Sequence, residues 1–297
     1  MYRLGIIGTE NSHAMAFAKI INLPDPETGK MRYPDVRVTG VFGPDPDSTK
    51  KIMDEVGVDF IANDPQEFFG KVDAMSVNCR KGSLHYKYAL PFVEKGMPVF
   101  IDKPFTSDTA EAEKLVAAAK KSGAKLCGGS SARFVPDVFM LKNIVKRLIT
   151  KDEFITASLN YAADPSSEYD GFFFYSPHLT EIVLEIFGND VKSIVTHEKN
   201  GSRISIWRYE KFDITLNYTK GSRESGALII SKNENIYREI DVGHHMDFSL
   251  VYGPEVDHLV HMIRTGEMPR PYDELITPVK MIAAVEESAK TGKEIFL

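Results

Sequence analysis

The sequence predicts an α/β chain in which a doubly wound parallel sheet is followed by an α+β domain with a mostly antiparallel, open-faced sheet. Three observations carry this expectation. Up to about residue 126, short apolar runs alternate with helix-like apolar spacing, the pattern of a parallel sheet whose crossovers are helices. Beyond Gly128 most runs follow one another with turn signals such as Asn200-Gly201 and Lys220-Gly221 between them, as in antiparallel pairing. The chain has 297 residues, and single hydrophobic cores stop growing near about 250 to 300 residues. Two domains are therefore expected, 1–126 and 127–297.

In the first domain, strands are expected at Leu4–Ile7, Arg37–Phe42, Ala74–Asn78, Pro98–Ile101 and Lys125–Cys127. Helices are expected between them at Ser12–Asn22, Ser48–Val56, His85–Lys95 and Thr109–Lys121, several with Ser, Thr or Asp near the start. In the second domain a helix at Val138–Leu148 precedes strands at Phe154–Asn160, Val191–His197, Arg203–Arg208, Phe212–Tyr218, Ala227–Ser231 and Ile236–Val242. Helices at Glu255–Arg264 and Thr277–Lys290 follow.

Composition narrows the function classes. The net charge of -6 and the absence of a Lys/Arg stripe argue against nucleic acid. No stretch reads as a signal peptide and no apolar run reaches the roughly 18 residues needed to span a bilayer, so the expected setting is the cytoplasm, away from membranes. The two cysteines, Cys79 and Cys127, have no metal-ligand spacing and read as small buried hydrophobes.

Chemistry concentrates where strands end. Asp102-Lys103-Pro104 closes an apolar strand, and ligands of open parallel sheets sit beyond the carboxyl ends of strands. Lys103 is therefore a candidate to face a bound molecule rather than solvent alone, and Pro104 biases it toward extended backbone with a possible cis bond. A dinucleotide site also wants GxGxxG after the first strand, so that backbone can approach a pyrophosphate at a helix N-terminus. Here the turn reads Gly8-Thr9-Glu10-Asn11-Ser12-His13, with only the first glycine kept. The second strand ends Val41-Phe42-Gly43-Pro44-Asp45, leaving Asp45 as the acid within reach of a ribose.

The order of these features resembles the Gfo/Idh/MocA family of nicotinamide-dependent oxidoreductases, which act on sugars, inositols and related polyols. The resemblance runs through a Rossmann-like first domain, NCRKGSLH at Asn78–His85, IDKPF as the counterpart of an EKP motif, GSSARFVP at Gly129–Pro136, and SPHLTE at Ser176–Glu181 as the counterpart of GxHxxD. It implies that Lys103 and His178 flank the reacting carbinol. The family's aspartate four residues before the histidine is Phe174 here. Neutral His178 is then the expected base, and Lys103 is expected to polarise the substrate oxygen, or to act as a base if desolvated. Gly8, Thr9, Glu10, Asn11, Asp45, Asn78 and Lys103 are the expected cofactor residues. His85, Arg133, Tyr175 and Glu181 are the expected substrate residues, with Arg80 and Lys81 as candidates for phosphate or an acidic substrate.

The expected cofactor is NAD(H) ahead of NADP(H), because no basic cluster follows the second strand. The expected partners are a small-molecule substrate and, through the open sheet face, a second copy of the chain in a dimer. No metal site is expected, although His244-His245 between Asp241 and Asp247, and Glu255, His258 and His261 at helical spacing, gather potential ligands. Phe174 and Glu10 keep open a rival reading, a catalytically altered or non-catalytic member that binds a small ligand or nucleotide. A third keeps the cofactor bound for transient oxidation.

Overall fold

The computed structural model describes residues 1–222, 224–243 and 248–297, apart from the side chains of 248 and 249. The paired histidines at 244 and 245 lie outside the described residues. The elements are β1 (Tyr2–Ile7), α1 (Ser12–Asn22), β2 (Val36–Phe42), α2 (Pro46–Val56), β3 (Phe60–Ile61), β4 (Ala74–Val77), α3 (His85–Glu94), β5 (Val99–Asp102), α4 (Thr109–Ser122) and β6 (Leu126–Gly129). They continue as α5 (Pro136–Thr150), β7 (Phe154–Ala162), α6 (Ser176–Phe187), β8 (Ser193–Lys199), β9 (Ser202–Arg208), β10 (Asp213–Thr219), β11 (Gly226–Ser231), β12 (Asn235–Glu239), α7 (Phe248–Thr265), α8 (Tyr272–Thr291) and β13 (Ile295–Phe296). Contacts divide the chain into two compact units, Met1–Gly129 with Phe248–Ile276, and Ser130–Asp247 with Thr277–Leu297.

The first unit is built on a six-stranded sheet in the order β3-β2-β1-β4-β5-β6, parallel throughout. Strands β4 and β5 inside the sheet, and β6 at its edge, are buried at every residue, as expected of strands covered on both faces. The helices begin and end where local chemistry dictates. Asp108 caps α4 by accepting the Glu111 N–H at 2.9 Å, and Gly123 closes that helix in the left-handed region at φ 80°. Two Lys residues complement the last turn.

The helix expected at Glu255–Arg264 within residues 127–297 packs instead on α1 and β6 of the first unit. Val256, Leu259, Val260 and Met262 join Phe17, Ile21, Val38 and Phe100 in one buried cluster. That helix, α7, also starts earlier than expected, because Pro254 sits inside it and a proline read from sequence marks a helix boundary.

The second unit carries a seven-stranded sheet in the order β12-β11-β7-β10-β9-β8-β13. Every neighbouring pair is antiparallel except β7 with β10. Alternation along the strands buries Leu159, Tyr161, Trp207, Leu216, Tyr218 and Ile229. The intervening residues, among them Ser158, Ile206, Asn217 and Leu228, stay partly accessible, so one face is open. Helix α6 is buried at ten of its residues, His178 and Glu181 included. The two-residue strands β3 and β13 carry no period and were not foreseen. Among the described residues no helix is long and apolar enough to cross a membrane.

If α7 is part of the first unit's core, Leu259→Ala should cost about 2 to 5 kcal/mol of stability. Urea unfolding monitored by circular dichroism measures it, and a cost near zero would detach α7 from that core.

Candidate functional site

In the first unit the strand ends converge on a buried carboxylate. Asp102, at the end of β5, is fully inaccessible. Its Oδ1 accepts the Lys103 N–H at 2.7 Å, and its Oδ2 accepts the Asn11 side-chain amide at 3.0 Å. Nδ1 of His13 lies 2.7 Å from the same Oδ2. Burial pushes the Asp102 carboxyl up, but His13, Lys103 and His85 outweigh it and hold the group below its ordinary value. Two residues of the turn after β1 are thereby fixed to the end of β5.

Lys103 is 4% exposed and precedes a cis peptide bond to Pro104. Burial pulls its ammonium below the ordinary lysine value, with Arg80 adding to the effect, while Asp102 and Glu255 oppose it. It is therefore a buried cation beside carboxylates rather than a solvated strand-end lysine. His85 is fully buried, with Nδ1 2.6 Å from the Pro104 carbonyl oxygen and Nε2 2.8 Å from that of Cys79. Burial lowers its pKa. Both ring nitrogens face backbone, so this candidate substrate residue instead pins the Lys103-Pro104 turn to the end of β4.

The turn after β1 retains the features a pyrophosphate needs. Gly8 has φ 101°, and a Cβ there would lie 2.3 Å from the Cys79 nitrogen, so only glycine lets the turn pack on the end of β4. Among the described residues the Thr9 and Glu10 amides have no acceptor. Asn78 is buried, accepts from Ser76 at 2.6 Å and leaves its Nδ2 without a partner among the described residues. The Thr9 and Glu10 amides and Asn78 Nδ2 are thus donors suited to an anionic group such as a pyrophosphate. Glu10, the misfit in the motif, turns away: its Oε1 accepts the Arg80 N–H at 3.1 Å, and Arg80 Nη2 donates to the Glu10 carbonyl at 2.6 Å. The substitution thus brings a guanidinium to the turn together with the carboxylate.

At the end of β2 a Cβ on Gly43 would lie 1.9 Å from Thr9 Oγ1, and that hydroxyl pairs with Thr49 at 2.6 Å. The exposed Asp45 caps α2 by accepting the Asp47 N–H at 3.1 Å, and its hydrogen bond with Ser48 holds the carboxyl below its ordinary value.

The second unit holds a separate polar cluster. His178 Nδ1 lies 2.7 Å from Ser130 Oγ, and the imidazole is flanked by the Tyr161 and Tyr175 rings at 5.2 and 5.5 Å. The Ser130 N–H donates to Glu181 Oε1 at 2.7 Å. Arg133, expected to meet substrate, donates to Glu181 at 3.3 Å and to Glu185, which Lys142 also pairs at 2.6 Å. Glu181, also expected to meet substrate, is held inside this network; burial pushes it up to about 7 against Arg133 and the Ser130 N–H. Phe174 stacks between Tyr169 and Tyr175 at 4.9 and 4.7 Å. Of the expected substrate residues only Tyr175 is exposed, at 42%.

Residues 2–130 match the model of the oxidoreductase family with an NAD-binding Rossmann fold, Gfo/Idh/MocA. That match takes in the six-stranded sheet of the first unit and less than half of the chain. A scyllo-inositol 2-dehydrogenase (NADP(+)) of Bacillus subtilis (strain 168) is 33% identical over 90 residues, which are 30% of this chain and 26% of that protein. The chain thus matches about a quarter of that relative's length. The fold is that of apo scyllo-inositol dehydrogenase from Lactobacillus casei, with TM-score 0.81, 13% identity and coverage of 100% of this chain and 98% of that one. It is equally that of myo-inositol 2-dehydrogenase from Lactobacillus plantarum, with TM-score 0.82, 15% identity and coverage of 100% and 99%.

Sequence reasoning missed Ser130 and Asp102 as organising residues. A Ser that caps the turn Ser131–Phe134 was the available signal for the first; an acid before Lys-Pro was the signal for the second. Glu255, His258 and His261 do not share one environment. Glu255 is buried, whereas His261 is exposed and lies 3.4 Å from Glu267, because six helical residues turn the chain by about 600°.

The raised Glu181 carboxyl contributes stability that is complete below its ordinary pKa of 4.5 and is lost as pH rises through about 7. Glu181→Gln should therefore gain on the unsubstituted protein between pH 5 and 8, by on the order of 3 kcal/mol. Urea midpoints across that range measure the gain, and parallel pH profiles would contradict it.

Proposed function

We propose that the protein is an NAD(P)-dependent oxidoreductase that transfers a hydride between a nicotinamide cofactor and a polyol, sugar or sugar derivative. The observation that carries the reading is Lys103, a buried cation beside a carboxylate that is itself tied to the glycine turn. The family match over residues 2–130 supports it, as do Lactobacillus casei structures of the same fold with NAD(H) and scyllo-inositol, and with NAD(H) and myo-inositol. In this reading the first unit binds the dinucleotide, and the second binds substrate and joins a second copy of the chain through its open sheet face.

Gly8, Thr9, Asn11 and Asn78 hold the cofactor, Arg80 adds a cation at its pyrophosphate, and Asp45 reaches the ribose. NAD(H) is favoured over NADP(H), since Gly43–Ser48 contains no Lys or Arg. The nicotinamide supplies the hydride acceptor or donor. Lys103 and His178 are the catalytic residues, and Lys103 polarises the substrate oxygen with its buried charge. Tyr175 is the substrate contact from the second unit. Phe174 favours a second reading, in which an altered member binds its ligand without turnover, because an aromatic stack occupies the position of the family's aspartate.

Calorimetric titration of cofactor-stripped protein with NADH and then NADPH tests the first reading, followed by a polyol and sugar screen. Binding is expected for NADH ahead of NADPH, and no binding to either would leave only the second reading. Arg80→Ala should weaken NADH on the order of tenfold, the worth of one charge-assisted hydrogen bond, and an unchanged affinity would remove it from the site. Lys103→Ala should abolish turnover without altering the circular dichroism spectrum; surviving turnover would exclude Lys103 from the chemistry.

A further inference from the structure

The cluster around Ser130 fixes a proton. Ser130 is fully inaccessible, and its three polar groups are all engaged within the second unit. Its N–H donates to Glu181, its carbonyl accepts the Arg133 N–H at 3.4 Å, and its Oγ accepts the Ala132 N–H at 3.2 Å. One contact remains, the 2.7 Å approach to His178 Nδ1.

A hydroxyl has one proton to donate. Among the described residues the only acceptor in hydrogen-bond reach of the Ser130 hydroxyl is His178 Nδ1. Were Nδ1 to carry a hydrogen and donate it to Oγ, the Ser130 proton would be buried without an acceptor, which folded proteins avoid. The neutral imidazole then carries its hydrogen on Nε2.

We propose that Ser130 locks His178 in the Nε2–H tautomer, so that His178 meets the substrate oxygen as a hydrogen-bond donor and not as the base. The assignment of that oxygen rests on the oxidoreductase reading; the tautomer does not. It replaces the expectation that His178 takes the hydroxyl proton. Ser130 is a positioning residue, held by Glu181 and, through it, by Arg133, Glu185 and Lys142. The Tyr161 and Tyr175 rings flank the imidazole. The ligand atom suited to His178 is a carbonyl oxygen or a hydroxyl lone pair.

The test uses the full-length, ligand-free protein labelled with 15N-histidine, with long-range 1H–15N correlation spectra at neutral pH and His178 assigned from His178→Gln. The expected signature is a pyridine-like Nδ1 and a pyrrole-like Nε2, blurred toward a mixture in Ser130→Ala and restored in Ser130→Thr. A pyrrole-like Nδ1, or two pyrrole-like nitrogens, overturns the proposal. In turnover, His178→Gln keeps a side-chain N–H but cannot serve as base. It should retain at least roughly tenfold more kcat than His178→Leu, within the range one oriented donor supplies. Equal loss in both variants overturns the donor role. Failure to bind NADH or NADPH would sink the oxidoreductase reading and leave the tautomer result standing.

Discussion

The carboxyl end of the first unit's sheet depends on one buried negative charge. Asp102 gathers a backbone N–H from Lys103, a side-chain amide from Asn11 and the His13 ring, and these come from two segments about ninety residues apart in sequence. A buried carboxylate without such partners is costly, and removing one partner of a desolvated pair leaves the other exposed to that cost. The turn after β1 and the turn after β5 are therefore set by the same group. Any change that moves one displaces the other, and Lys103 inherits its placement from this constraint.

The second unit uses the same economy of means with opposite signs. Glu181, Arg133 and Glu185 form a buried alternation of charge around the amide of Ser130. Long cationic and anionic side chains near a strand end invite the reading that they grip a ligand. Here they grip each other and the backbone, and they steady Ser130 and through it His178. His85 repeats the lesson in the first unit, with both nitrogens on carbonyl oxygens.

Much of the architecture was legible because periodicity reports which face of an element is buried. Alternating runs identified both sheets, and the strand-ending Asp102-Lys103-Pro104 lies where the turn after β5 is tied to Asn11. Periodicity does not report which partner covers that face, so α7 was placed with its sequence neighbours rather than against α1. Motif matching had a similar blind spot. It saw Glu10 as a lost glycine and could not see that the side chain folds toward Arg80, since that pairing spans seventy residues. Ser130 could be read from sequence only as a turn cap; its further meaning comes from the imidazole that α6 brings to it.

The contribution of α7 to the first core sets the order in which that unit can mature during synthesis. Residues 1–129 emerge from the ribosome with an apolar flank around Phe17 and Ile21 that has no cover until Val256, Leu259 and Val260 follow. The whole of Ser130–Asp247 is made in between. A nascent parallel sheet in that interval carries exposed apolar surface of the kind chaperones recognise, so the unit encoded first is the one completed late.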